Sequence, residues 1–254
     1  RDVYTVNRME ISEHIAALRR EGNLMAEAAA RSDLDSPVRA TPGWQMRDLV
    51  RHMGGIHRWA AAHVAERLAE PIPTLEEVVG TWPDDASLLD WFRDGHAFLV
   101  RVLEAAEPDL ACWTFLKAPS PLAFWARRQA HETGMHRADA ESAGGTITPF
   151  APAFAVDGID ELLYCFASRP GRRLRADPPR RLHVHATDAQ GEWLVQVRPD
   201  GIEASGEHAA ADCTVSGSAS DLYLLLWNRR TEDGLEVHGD KTLLDRWRDS
   251  VQIR

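Results

Sequence analysis

Lysine is almost missing from this chain: Lys117 and Lys241 are the only two among 29 basic residues, so arginine carries nearly all the positive charge. Cysteine is nearly as rare. Cys112, Cys165 and Cys213 are odd in number, far apart and never in a CxxC pair. That argues against a disulfide framework and a cysteine metal site, and a reducing cytoplasm is the expected compartment. No apolar run approaches the roughly 20 residues of a membrane span. The stretch from Arg1 to Glu10 lacks the apolar core of a signal peptide and an initiator Met. Basic charge is also in deficit, with a net charge of -10. An acidic chain has little general affinity for phosphate backbones or anionic lipids, so neither nucleic acid nor a membrane is expected as a partner. There is no internal repeat and no low-complexity tract. What is present is ordinary globular material, 44% hydrophobic and 27% charged over 254 residues, enough for one large core or two modest ones. The oligomeric state is open, a monomer being the simpler expectation.

The first part reads as helices. In ISEHIAALRREGNLMAEAAA, Ile11, Ile15, Leu18 and Met25 fall near one stripe, although Gly22 weakens the segment. After a Pro- and Gly-bearing loop, a second helix starts near Trp44. Leu49, His52, Met53, Ile56, Trp59 and Ala60 form its inner face, and Pro71 and Pro73 stop it. A third runs from about Ser87 to Ala106 with Leu88, Trp91, Phe92, Phe98 and Leu99 available to the core, and Asp84, Asp85 and Ser87 as candidate caps. The fourth opens at Pro121 and ends at Gly144-Gly145. Four amphipathic helices with two long connections predict a four-helix bundle of non-simple topology.

The composition breaks at GGTITPFAP, which sets a domain boundary at residues 1–150 and 151–254. A short helix, Val156 to Ser168, leads into a basic, Pro-rich turn region. The period then changes: LHVHATD, EWLVQVRP, GIEASG and DCTVSGS read as strands, SASDLYLLLWNRR as a helix, LEVHGD as a strand and DKTLLDRWRDSV as a closing helix. The fold class is therefore α+β, with a mainly antiparallel sheet in the second domain.

The segment AHETGMHRAD superficially matches the HExxH pattern of zinc proteases. Its histidines, His131 and His136, are five residues apart, which turns them about 140° from each other on a helix. Glu132 and His136 are four apart, rotated by only about 40°, so that pair alone can reach one ion from this helix. Glu132 is then a ligand and not a general base. His52 is the best third donor, because it interrupts the apolar stripe between Leu49 and Ile56, where an unpaired imidazole loses solvation. His57 is rotated away, and His63 lies about 16 Å further along the helix. A His2Glu set with open positions suits zinc, and nickel or iron(II) would also fit it.

The strings TPGWQMRDLVRHMGGIHRWAA and FWARRQAHETGMHRADAE resemble the mycothiol-dependent maleylpyruvate isomerase family, within the wider DinB-like superfamily. The first carries Trp44, Arg47, Asp48, Leu49 and His52 in the W-x-x-R-D-L-x-x-H pattern. The second carries Arg127, His131, Glu132, His136, Arg137 and Asp139 in R-x-x-x-H-E-x-x-x-H-R-x-D. The strings DCTVSGSASDLYLLLWNRR and LEVHGDKTLLDRW are similar to the sterol-carrier-like second domain of that family. The resemblance implies a zinc-type ion on His52, Glu132 and His136, and a small thiol, mycothiol, bound to it as thiolate. In such an isomerase the thiolate adds to an activated double bond, the bond rotates and the thiol leaves; in related transferases the sulfur stays on the product.

Supporting residues follow. Arg229 matches an arginine that the isomerase places near its substrate, where it is expected to act catalytically by holding a carboxylate through two parallel hydrogen bonds; Arg230 is the adjacent alternative. Asp139, one turn past His136, either accepts that ring's second N–H or faces solvent, solvent being the commoner place for an aspartate. Trp44, Trp59, Trp125 and Trp227 are candidate walls of the pocket, Trp44 and Trp59 foremost for the cofactor, although tryptophans at helical spacing are more often core. Gly54-Gly55 permits either close helix approach or ligand access. Two other functions stay open: a non-catalytic binder of an apolar ligand with a structural metal, and a metal-dependent hydrolase, for which no well-placed extra base is visible.

Overall fold

A computed structural model describes residues 9–169 and 174–252. The chain divides into two compact units, one of Glu10–Thr148 and the other built on Pro149–Arg254.

In the first unit the long helices are α1 (Ile11–Arg31), α2 (Met46–Ala65), α4 (Leu88–Ala105) and α5 (Pro121–Ser142), with a single short turn of helix, α3 (Leu75–Val79), in the α2–α4 connection. That short helix was not expected from the sequence. α1 packs along α5 and α4, while α2 packs on α4 and α5. The starts are capped by local chemistry: Glu10 with Glu13 and Gln45 with Asp48 form reciprocal boxes, and Ser120 accepts from the Ala123 N–H just before Pro121. The apolar stripes meet in a core of Leu18, Met25, Met46, Leu49, Met53, Leu88, Phe92 and Leu99. Phe98 is not part of it. It is 43% exposed, because Leu88, Phe92 and Leu99 already define the inner line of α4 and Phe98 sits about 100° off it.

The glycines inside these helices are explained by neighbours distant in sequence. A Cβ on Gly22 would come within 2.2 Å of the His96 ring, whose Nε2 bonds the Leu18 carbonyl oxygen at 3.0 Å. A Cβ on Gly54 would lie 2.2 Å from the Trp91 ring, and Gly55 faces Leu75 and Trp82. The pair therefore serves close helix approach. Arg58 completes that contact, donating to the Gly54 and Trp91 carbonyls at 3.0 and 2.7 Å with its guanidinium 3.8 Å from the centre of the Trp91 ring.

The second unit opens with α6 (Pro152–Asp160), which runs directly into a π-helical segment, Glu161–Ala167, where a plain helix to Ser168 was expected. Its sheet comprises β1 (Arg180–Ala186), β2 (Glu192–Arg198), β3 (Gly201–Ser205), β4 (Cys213–Gly217) and β5 (Glu236–Gly239), in spatial order β3-β2-β1-β4-β5. β1 to β3 form an antiparallel meander. The chain then returns to lay β4 parallel to β1, and β5 pairs antiparallel at the edge. α7 (Ala219–Leu226), capped by Ser218, lies between β4 and β5 in sequence, and α8 (Thr242–Ser250) closes the unit. Leu182, Val184, Val195, Val197 and Val215 alternate into a core shared with Leu222, Tyr223, Leu226 and Trp247. The fold is α+β: a helix-rich unit followed by a small mixed sheet.

Candidate metal centre

The second turn of α2 presents His52, and the middle of α5 presents Glu132 and His136. Glu132 Oε1 lies 3.9 Å from His52 Nε2 and 3.3 Å from His136 Nε2, and one ligand atom from each of the three falls within 4.8 Å of the others. Four-coordinate zinc with bonds of about 2.0–2.2 Å places its donors roughly 3.3–3.6 Å apart, so the Glu132–His136 spacing and the donor chemistry fit such an ion, and His52 needs to close on Glu132 by about 0.5 Å. The three side chains remain accessible, His52 and Glu132 at 27% and 28% and His136 at 12%.

Two of the three donors are held from behind. His136 Nδ1 bonds Asp139 Oδ2 at 2.9 Å, which turns Nε2 toward the centre. Asp139 is buried, against the solvent-facing position expected for it, because one turn of helix puts it directly under the His136 ring. Arg128 Nη2 donates to Glu132 Oε2 at 2.5 Å and leaves Oε1 to face the imidazoles. The sequence reading missed Arg128, although its i, i+4 spacing to Glu132 was a usable signal. Trp44 stands edge-to-face to His52 at 5.1 Å between ring centres and walls one side.

Charge reinforces this geometry. Burial pushes the Glu132 carboxyl up, but the Arg128 charge and the nearby His136 and His52 rings outweigh it and hold the group well below the usual carboxylate range. Burial lowers His136, yet Asp139 and Glu132 together raise it to about 9. An ion held by this ring would have to compete with a proton for Nε2.

The remaining histidines lie elsewhere. His131 is fully buried and meets His14 edge-to-face at 6.0 Å. His57 is buried against Phe92 and His96 and bonds Thr133 Oγ1 at 2.9 Å. His63 Nε2 accepts the Ile72 N–H at 3.2 Å, so its Nδ1–H donates to the Trp59 carbonyl at 2.8 Å. Trp59 sits two turns along α2 from His52, donating to the Ile72 carbonyl at 3.0 Å, in an aromatic cluster with His63, Trp113 and Trp125. Trp227 is core of the second unit, bonded to the Gly158 carbonyl at 3.2 Å. Arg229 Nη1 donates to the Trp227 carbonyl at 2.9 Å. The Arg230 guanidinium is engaged by Asp221 and by the Thr231 and Asp233 carbonyls.

Neither Cys112 nor Cys213 is prepared as a nucleophile. Burial pushes the Cys112 thiol up, partly offset by Trp125, and burial with Asp240 nearby pushes Cys213 to about 11. Cys112 is half-buried in the connection between α4 and α5.

The family model for the mycothiol maleylpyruvate isomerase N-terminal domain matches residues 15–141, and the MDMPI C-terminal domain model matches residues 153–246. The chain belongs to the mycothiol maleylpyruvate isomerase family. Two solved structures share its fold: the mycothiol-dependent maleylpyruvate isomerase, at a TM-score of 0.60, and a histidine-to-alanine mutant of it, at 0.64. Each is 12% identical, with 90% of this chain and 93% of the isomerase chain covered. No curated protein matches the chain in sequence. The W-x-x-R-D-L-x-x-H and H-E-x-x-x-H strings of this chain supply the residues that converge on Glu132 Oε1.

Proposed function

We propose that this chain is a metal- and mycothiol-dependent enzyme, an isomerase or an S-transferase, with a divalent ion, zinc foremost, on His52, Glu132 and His136. The observation that carries the reading is the convergence of those donors, from two helices, on one accessible point in a chain of this family. When bound, such an ion deprotonates a coordinated thiol and so supplies a sulfur nucleophile near neutral pH, where a free thiol with a pKa of about 8.5 is mostly protonated.

The chain's own residues do the positioning. Asp139 accepts the His136 Nδ1–H and fixes the tautomer that leaves Nε2 a lone pair. Arg128 keeps Glu132 charged and restricts it to one donor oxygen. The Trp44 ring shields His52 from water on one side. Arg229 is assigned a substrate carboxylate on the resemblance, with Arg230 as the adjacent alternative. The raised thiols of Cys112 and Cys213 support an external thiol over a protein nucleophile.

The test is turnover of maleylpyruvate, followed by NMR, with and without mycothiol and before and after chelation. The proposal expects turnover only when thiol and metal are both present; an isomerised product marks an isomerase and a thioether adduct a transferase. Turnover that needs neither thiol nor metal contradicts it.

A further inference from the structure

The second unit carries a second cluster of nitrogen and oxygen donors that the helical centre does not use. Along β1, Leu182, Val184 and Ala186 are buried in the core, so His183 and His185 project from the opposite face of the sheet. The register sets His185 directly across from Glu192 of β2, with His183 one diagonal away on the same face. His208, in the β3–β4 connection, closes over them. Glu192 Oε1 then lies 2.8 Å from His183 Nε2, 2.5 Å from His208 Nδ1 and 3.9 Å from His185 Nδ1. The His183 ring is 5.2 Å from that of His208 and 6.4 Å from that of His185.

We propose that His183, Glu192 and His208, with His185 as an available fourth donor, form a second site for a divalent transition metal. Three imidazoles directed at one carboxylate oxygen are more than its charge requires, whereas they make an N2O or N3O donor set. Such a set selects zinc, nickel or copper over magnesium or calcium, which prefer oxygen throughout. Ligand atoms of the first three residues already lie within 4.8 Å of one another. An ion needs donors roughly 3.3–3.6 Å apart, so the two short contacts must open by about 1 Å or less. His208 has the freedom to allow this, being 80% exposed on a connection, while His183, 7% exposed and fixed in a strand, is the anchor. Hydrogen bonds from His208 and His183 keep Glu192 below the ordinary carboxylate range, in its charged, ligating form. An ion here would pin the β3–β4 connection to the β1–β2 hairpin. The inference does not rest on the helical centre.

The experiment uses the full chain with His136→Ala, which disables the helical centre, dialysed against zinc and analysed for bound metal. It is repeated after adding His183→Gln and His208→Ala, with near-UV circular dichroism to confirm that both proteins are folded. The first protein should hold about one zinc per chain and the second none, and zinc should slow amide exchange in the β3–β4 connection of the first protein only. A His136→Ala protein that binds no zinc overturns the proposal, as does zinc retained in full by the further-substituted protein. His208→Ala alone, at an exposed position, serves if His183→Gln does not fold; it should weaken zinc binding at least tenfold, and an unchanged affinity also overturns the proposal.

Discussion

Arg137 follows His136 in sequence and ties the metal-bearing helix to α1, so its removal probes how firmly that helix is held. Its guanidinium is fully buried, donating to Glu21 at 2.7 Å, Glu141 at 2.7 Å and the Thr148 carbonyl at 2.6 Å. Arg137→Met keeps the apolar stem and deletes the charge. Breaking a buried ion pair from one side costs about 3–5 kcal/mol, mostly because the partner charge stays buried. The loss here belongs at the lower end. Glu21 keeps a contact to Arg20, and Glu141 keeps the Thr148 N–H at 2.7 Å and hydroxyl at 2.9 Å. About 3 kcal/mol corresponds to roughly two orders of magnitude in an equilibrium constant. Because the chain has two units, one global transition is not assured, and amide exchange read separately in α1 and α5 is the appropriate assay. Protection in both helices should fall about a hundredfold, and adding Glu21→Gln should restore part of it. A loss of less than threefold would refute the argument that this network holds α1 to α5.

Other outcomes follow from the same geometry. Asp139→Ala should weaken zinc binding about 10–100-fold in a competitive chelator titration, because His136 loses the acceptor that orients it. The metal-free protein should lose stability below about pH 6.5 in urea titrations at stepped pH. Burial first, and for His57 also His96 and Arg58, depress the folded-state pKa of His57, His63 and His96, so the unfolded chain takes up protons first as pH falls. Their contribution is complete above about 6.5 and is lost below it, at no more than about 1.4 kcal/mol per pH unit for each ring. His136, raised to about 9, acts oppositely: its contribution is full below about 6.5 and fades as pH rises through 9. Replacing Cys112 with Ser and Cys165 and Cys213 with Ala should leave thiol-dependent turnover intact at a total stability cost of about 1–3 kcal/mol.

Much of this was legible in the sequence because it is local. The i, i+4 step joins Glu132 to His136, and the polar break in an apolar stripe marks His52; both follow from helix geometry. Strand alternation and turn residues likewise located β1 to β5. What the sequence hid depends on partners far along the chain. Gly22 read as a weak point, yet it is a socket for the His96 ring of α4; for Gly54 the sequence left close approach and ligand access open, and only the Trp91 ring decides between them. α5 is buried almost all round, including Arg128, Arg137, Asp139 and Glu141, so its polar residues do not mark a solvent face and Asp139 was misplaced there. The His183–Glu192–His208 cluster escaped notice because it joins two paired strands and a later connection, and no single spacing reveals it.

The central claim is that a divalent ion binds His52, Glu132 and His136 and not His131. The most direct measurement is elemental analysis of zinc-loaded, dialysed protein carrying His183→Gln and His208→Ala, compared with the same protein bearing either His131→Ala or His136→Ala. The account predicts about one zinc per chain in the parent and in the His131→Ala protein, and none in the His136→Ala protein. No zinc in the folded parent, or zinc lost with His131→Ala and kept with His136→Ala, would contradict it.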